Sequence, residues 1–137
     1  QDLLARQAER WPPLRVRTVG LGLFLNPCPV LYLPVVRGSL LNALHRSLWD
    51  GIADLQGDLH PLHSPERWMP HVTLAQGDLE LAQLPKALSL LEGEELELDV
   101  EVRNLTLFDW IGPRYEPRER YPLLGRPASE GGAMLER

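Results

Sequence analysis

Residues 67 to 78 read Arg-Trp-Met-Pro-His-Val-Thr-Leu-Ala-Gln-Gly-Asp. They set an imidazole, His71, two positions before a hydroxyl, Thr73, inside a short apolar run. Imidazole titrates near neutral pH, so it can take up or deliver a proton. A hydroxyl beside it can bond a phosphate oxygen or orient the ring. On a strand, residues i and i+2 project from the same face. His71 and Thr73 would then share one face, lining a cleft if the sheet is concave. Val72 and Leu74 would share the other, where they can pack on a helix layer. Pro70 biases Met69 toward extended backbone and helps set where the strand begins.

A plainer reading competes: a partly exposed histidine on a sheet face, with its spacing to threonine due to chance. The chain carries one such coincidence. His45-Arg46-Ser47 has the same spacing but falls within an amphipathic helical pattern, where positions i and i+2 do not share a face.

The elements that must position His71 and Thr73 can be read from periodicity. Residues 2 to 10 show helical spacing, and Trp11-Pro12-Pro13 stops it. Arg15 to Leu25 alternates as one strand or two short ones, with paired glycines allowing a bulge or close approach. Val30 to Val36 is a second apolar strand near an edge, because of Pro34. Leu40, Leu41, Leu44, Leu48, Ile52 and Leu55 outline an amphipathic helix with Ser39 as N-cap, ending near Gly57. Residues 58 to 66 form a polar loop, and Trp68 to Ala75 the third strand. Leu79 to Leu91 reads as a helix closed by Gly93. From Leu96 the alternation continues through Leu105 and Leu107 toward Trp110 as one half-exposed strand. Gly112-Pro113 turns the chain, and Tyr115 to Leu123 returns as a last strand weakened by Pro117 and Pro122. The order predicts an α+β fold, with a mixed or antiparallel sheet and helices packed on one side. Residues 1–124 are expected to form a single domain and 125–137 a mobile tail.

Composition narrows the partners. The chain has 137 residues, 44% hydrophobic and 24% charged, as in a globular domain. No apolar run reaches the roughly 20 residues that span a bilayer, so no membrane partner is expected. A net charge of −5 argues against duplex DNA, which needs a basic face. The lone Cys28 fits a reducing, cytoplasmic setting. His60 and His63 flank a loop without carboxylate or cysteine at ligand spacing, so no metal or other cofactor is expected. The chain begins Gln1-Asp2-Leu3 without an initiator methionine, and residues upstream are expected.

The segment "WMPHVTLAQG" closely resembles the second signature of the two-histidine phosphoesterase superfamily, which includes 2′-5′ RNA ligase-like proteins and cyclic nucleotide phosphodiesterases. The flanking order is also similar. A glycine-rich strand, an apolar strand and a leucine-rich helix precede it. A helix and strands resembling "VEVRNLTLFDW" and "GPRYEPRERYPL" follow it. The resemblance runs from about Leu14 to Leu124. It implies part of a bilobal fold and metal-independent chemistry on a 2′,3′-cyclic phosphate or a 2′-5′ linkage, at an RNA end or a small nucleotide. His71 would exchange a proton and Thr73 would hold phosphate. Such enzymes carry two His-x-Thr/Ser signatures, one per lobe, and this chain shows one. The first is expected upstream of residue 1. Otherwise the chain is a degenerate member, a noncatalytic nucleotide-binding or structural derivative, or a homodimer that supplies the second histidine in trans.

Other side chains are weighed against the same chemistry. Tyr115, on the closing strand, is placed to stack on a base or to pack. Arg114, with Arg118 and Arg120, could draw phosphate or form an ordinary solvated face. Trp68 could line the cleft or cover the core. For Phe24 and Gly22 packing is the simpler role.

Overall fold

The computed structural model describes residues 2–55 and 57–126. They fall into two compact units, one within Gln1–Pro13 and Arg103–Arg137, the other Leu14–Val102. The elements, in chain order, are α1 (Asp2–Arg10), β1 (Leu14–Arg17), β2 (Gly22–Phe24), β3 (Val30–Pro34), α2 (Ser39–Asp54), β4 (His71–Gln76), α3 (Leu84–Leu91), β5 (Asp99–Val102), β6 (Asn104–Ile111) and β7 (Arg114–Pro122). Every strand pair is antiparallel, and the class is α+β, as expected.

In the larger unit β1 pairs with β5, and β3 lies between β2 and β4. A bridge from Thr18 to Val35 links the two groups, with Val19 N–H donating to Pro34 O and Val36 N–H to Arg17 O. β1 and β2 therefore run as two segments of one line along β3. β3 is the central strand, and Leu31, Tyr32 and Leu33 are all buried. Leu14 and Leu44 complete the apolar core there, with α2 resting against β1.

One polar group is buried in that core. Thr18 is 1% exposed, and its hydroxyl donates to Leu96 O at 2.6 Å and accepts from Leu98 N–H at 2.8 Å. The side chain thus holds the segment ahead of β5 against the end of β1, satisfying two backbone groups at once.

In the smaller unit β6 and β7 form a hairpin packed on α1. Gly112, with φ of 61°, supplies the positive dihedral its two-residue turn needs. The register slips between Leu107 and Phe108, opposite Glu119 and Pro117, which leaves Arg118 as the extra residue of a bulge. Pro117 and Pro122 do not end β7, because among the described residues this two-stranded ribbon is paired on one side only. Ala8, Tyr121 and Leu123 are buried here, with Leu124 N–H bonded to Ala8 O. The Tyr121 hydroxyl donates to Glu119 at 2.6 Å, and that bond, with burial, pushes its pKa up to about 12.

Four expectations change. β3, expected near an edge because of Pro34, lies between β2 and β4, and Pro34 is tolerated as its last residue. The alternation from Leu96 to Trp110 is not one strand, because β5 pairs with β1 in one unit and β6 with β7 in the other. Arg103 is the crossing point, and its carbonyl accepts from Leu123 N–H. Gly38, rather than Ser39, caps α2, with extended backbone and no side-chain bond. Val72 and Leu74 do not pack under a helix layer: they remain 47% and 44% exposed on β4, which among the described residues pairs with β3 alone. From residue 127 on, the expected tail lies outside the described residues.

Replacing Thr18 with Val keeps the shape but leaves Leu96 C=O and Leu98 N–H without their partner. We expect a loss of about 2 kcal/mol in urea denaturation, against less than half of that for Thr18→Ser, which keeps both bonds.

Candidate functional site

β4 presents His71 and Thr73 on one face, opposite Pro34 and Tyr32 of β3. On the far side of β3, Tyr32 lies opposite Gly22 and Val30 opposite Phe24. This row explains the glycine. A Cβ built at residue 22 would collide with the Tyr32 ring at Cε2 and Cζ, so only glycine lets the ring lie across β2. Phe24 then stacks on Tyr32, with centroids 4.3 Å apart and planes at 27°. His71 meets both rings, Phe24 edge-on at 5.5 Å and Tyr32 at 5.2 Å.

The imidazole is held by a single short bond. His71 Nδ1 lies 2.7 Å from Met69 O. A carbonyl only accepts, so the neutral ring carries its proton on Nδ1 and keeps a lone pair on Nε2. That is the form a general base needs; protonated, the same nitrogen is a general acid. His71 and Thr73 are both solvent-exposed, so proton and phosphate can reach them.

A cavity of about 370 Å³ opens beside His71, bordered by Phe24, Leu62, Met69, His63 and Arg67. That volume falls within the range of small-molecule sites, and the mixture of apolar wall and few polar groups is typical of them. Among the described residues no cluster of three or more His, Cys, Asp or Glu is grouped to hold a metal ion.

The loop bearing His63 and Arg67 is fastened from behind. Trp68 stacks flat on His45 of α2, 3.8 Å between centroids and 9° between planes, with the Arg37 guanidinium 5.5 Å from its ring centre. Arg37 also donates to Pro65 O at 2.5 Å and to Asn42 Oδ1 at 3.1 Å. Arg67 and Trp68 both direct their backbone N–H groups to Ser64 O at 2.9 Å. Trp68 is thus a fastening for the loop and is not among the residues bordering the cavity. Arg114 and Tyr115 belong to the other unit, at the tip of the β6–β7 hairpin. There Arg114 pairs with Glu116, and Tyr115 meets Trp110 edge-on at 4.7 Å.

The sequence model of the 2′-5′ RNA ligase superfamily matches residues 1–114. The chain belongs to the 2′-5′ RNA ligase superfamily. Among solved structures it resembles TT0787 of Thermus thermophilus, with a TM-score of 0.61 and 23% identity. The alignment covers 92% of this chain and 69% of that one, which is a likeness of fold. A search of curated proteins found no significant match. Among the described residues no helix is long and apolar enough to cross a membrane.

For a chain of this superfamily, the spacing of His71 and Thr73 was legible in the sequence. Tyr32, Arg67 and His63 were not singled out as neighbours of that pair. The first depends on strand register, and the other two on a loop whose path has no periodic signal.

His45 offers a test of the fastening. Burial, followed by the nearby Arg37 charge, holds its imidazole below the ordinary value of 6.5, and its Nδ1 is buried without a hydrogen-bond partner. A depressed histidine stabilises the fold above its unfolded value, and the contribution is lost as pH falls below it. We expect the urea midpoint to drop between about pH 8 and pH 5.5, and to drop less in His45→Phe, which keeps the stack without the titration. Equal pH dependence in the two proteins would remove His45 from this role.

Proposed function

We propose that the chain acts on phosphodiesters of RNA ends or small nucleotides, with His71 exchanging a proton and Thr73 holding a non-bridging phosphate oxygen. The observation that carries this reading is the lone pair of His71 Nε2, left open by the Nδ1 bond to Met69 O beside a nucleotide-sized cavity, in a chain of the 2′-5′ RNA ligase superfamily.

Hydrolysis of a 2′,3′-cyclic phosphate needs one bond made and one broken. A water oxygen bonds to phosphorus, and one ribose oxygen leaves it. One proton departs from the attacking water, and one arrives on the ribose oxygen. These transfers occur at opposite ends of an in-line displacement, so two groups serve them. His71 fills one role, and a second proton-transferring group fills the other. Thr73 gathers the charge that develops on phosphate. The reading includes no metal. With a ribose 5′-hydroxyl in place of water as the attacking group, the same displacement opens the cyclic phosphate and joins two ends, so ligase and hydrolase activities share these residues. We place the protein in RNA processing in the cytoplasm as part of the same proposal.

A second reading is favoured by one observation: among the described residues one His-x-Thr lies on a strand, where the chemistry asks for two proton-transferring groups. A noncatalytic nucleotide-binding protein would keep the cavity and lose the turnover.

The two separate in one assay. Turnover of 2′,3′-cyclic nucleotides by the protein should persist in EDTA and fall about a hundred- to ten-thousand-fold in His71→Ala. Thr73→Ala should lower kcat with a smaller change in KM. Binding of 3′-nucleotide without turnover by the unmodified protein would support the second reading. Turnover unchanged in His71→Ala would end the first.

A further inference from the structure

The cavity beside His71 carries more positive charge than the proton transfer uses. Arg67 and His63 border it with His71; among the described residues Asn26 is its other polar residue and no carboxylate borders it. This is notable in a chain with 19 acidic and 14 basic residues. Several other arginines are engaged. Arg46 meets Glu66 at 3.4 Å, Arg118 meets Asp109 at 3.3 Å, Arg114 pairs with Glu116, and Arg37 holds Asn42 and Pro65. Glu66, the acid next to Arg67 in sequence, is the one taken by Arg46. Among the described residues Arg67 has no carboxylate partner. Its backbone, however, is fixed, through the bonds to Ser64 O and the neighbouring Trp68 stack on His45. A guanidinium on a fixed backbone, at the rim of an acid-free cavity, is arranged to receive an anion, and its planar fork suits phosphate. The remaining wall, built from Phe24, Leu62, Met69 and Val30, is apolar and suits the face of a nucleobase.

We propose that this cavity is a subsite for one nucleotide, with its base against Phe24, Leu62 and Met69 and its phosphate between Arg67 and His71. Arg67 is a specificity-determining residue: it selects ligands that carry phosphate on the nucleoside. The inference rests on the nucleotide chemistry proposed for His71 and names where the nucleotide sits.

Calorimetric titration of the full chain with 3′-AMP and with adenosine tests it. The unmodified protein should bind 3′-AMP more tightly than adenosine, and the difference should shrink as salt is raised. Arg67→Gln should weaken 3′-AMP about tenfold or more and leave adenosine unchanged, as expected for a charged hydrogen bond to phosphate. Leu62 is 52% exposed, so Leu62→Trp should fold normally and, by filling the apolar wall, weaken both ligands. Equal affinity of Arg67→Gln and the unmodified protein for 3′-AMP would overturn the proposal, as would Leu62→Trp binding both ligands normally. The outcome is independent of turnover. An Arg67 variant with unchanged binding, in a protein whose His71→Ala variant loses turnover, overturns the subsite and leaves the catalytic reading standing. Arg67-dependent binding in a protein whose turnover ignores His71 does the reverse.

Discussion

Tyr32 sits at the centre of the three-stranded sheet, opposite Gly22 on one side and Thr73 on the other. Its ring needs space that only a residue without Cβ leaves, and Gly22 provides it. With the ring lying over β2, Phe24 can stack on it, and His71 can rest against both. A sheet face that would otherwise be a flat pleat thereby gains an aromatic floor next to an exposed imidazole. Shifting β3 by one residue would turn Tyr32 to the opposite face and put Leu31 or Leu33 beside His71. The burial of both faces of β3 makes such a slip costly, so the core fixes the site's geometry through register.

The loop ahead of β4 is the second constraint. Loops usually owe their variable shape to weak tethering. Here an indole stacked on His45, a guanidinium over that indole and three backbone carbonyls taken by nearby donors hold residues 64 to 69 against α2 and β4. Met69 closes the arrangement, because its carbonyl selects the His71 tautomer. The same stretch of chain therefore borders the cavity, orients the proposed proton carrier and supplies Arg67. The surplus of acids in the whole chain coexists with a pocket that no carboxylate among the described residues borders, and Glu66, beside Arg67 in sequence, pairs with Arg46 on α2.

What the sequence revealed follows from the range of each interaction. The shared face of His71 and Thr73 is a property of any short strand, so local alternation was enough to find it. The helix over Leu40 to Leu55 was equally local. Trp68 shows the limit: its place beside His71 in sequence gave no sign that its ring would turn to His45, 23 positions away along the chain. The run from Leu96 to Trp110 kept its alternation across Arg103, but which strand each half pairs with is decided by β1 and β7, outside that run. Val72 and Leu74 alternate like core residues and yet stay exposed, because periodicity reports a face without reporting what covers it.

The central claim is that backbone geometry presets the His71 ring with Nε2 open to a phosphodiester. Long-range nitrogen–proton correlation spectra of the 15N-labelled protein above neutral pH read the tautomer of each histidine directly. The account predicts that His71 carries its proton on Nδ1 and that its Nε2 resonance moves when a nucleotide phosphate is added. A proton on Nε2, with Nδ1 bare, would contradict it, because a bare nitrogen cannot donate to the Met69 carbonyl.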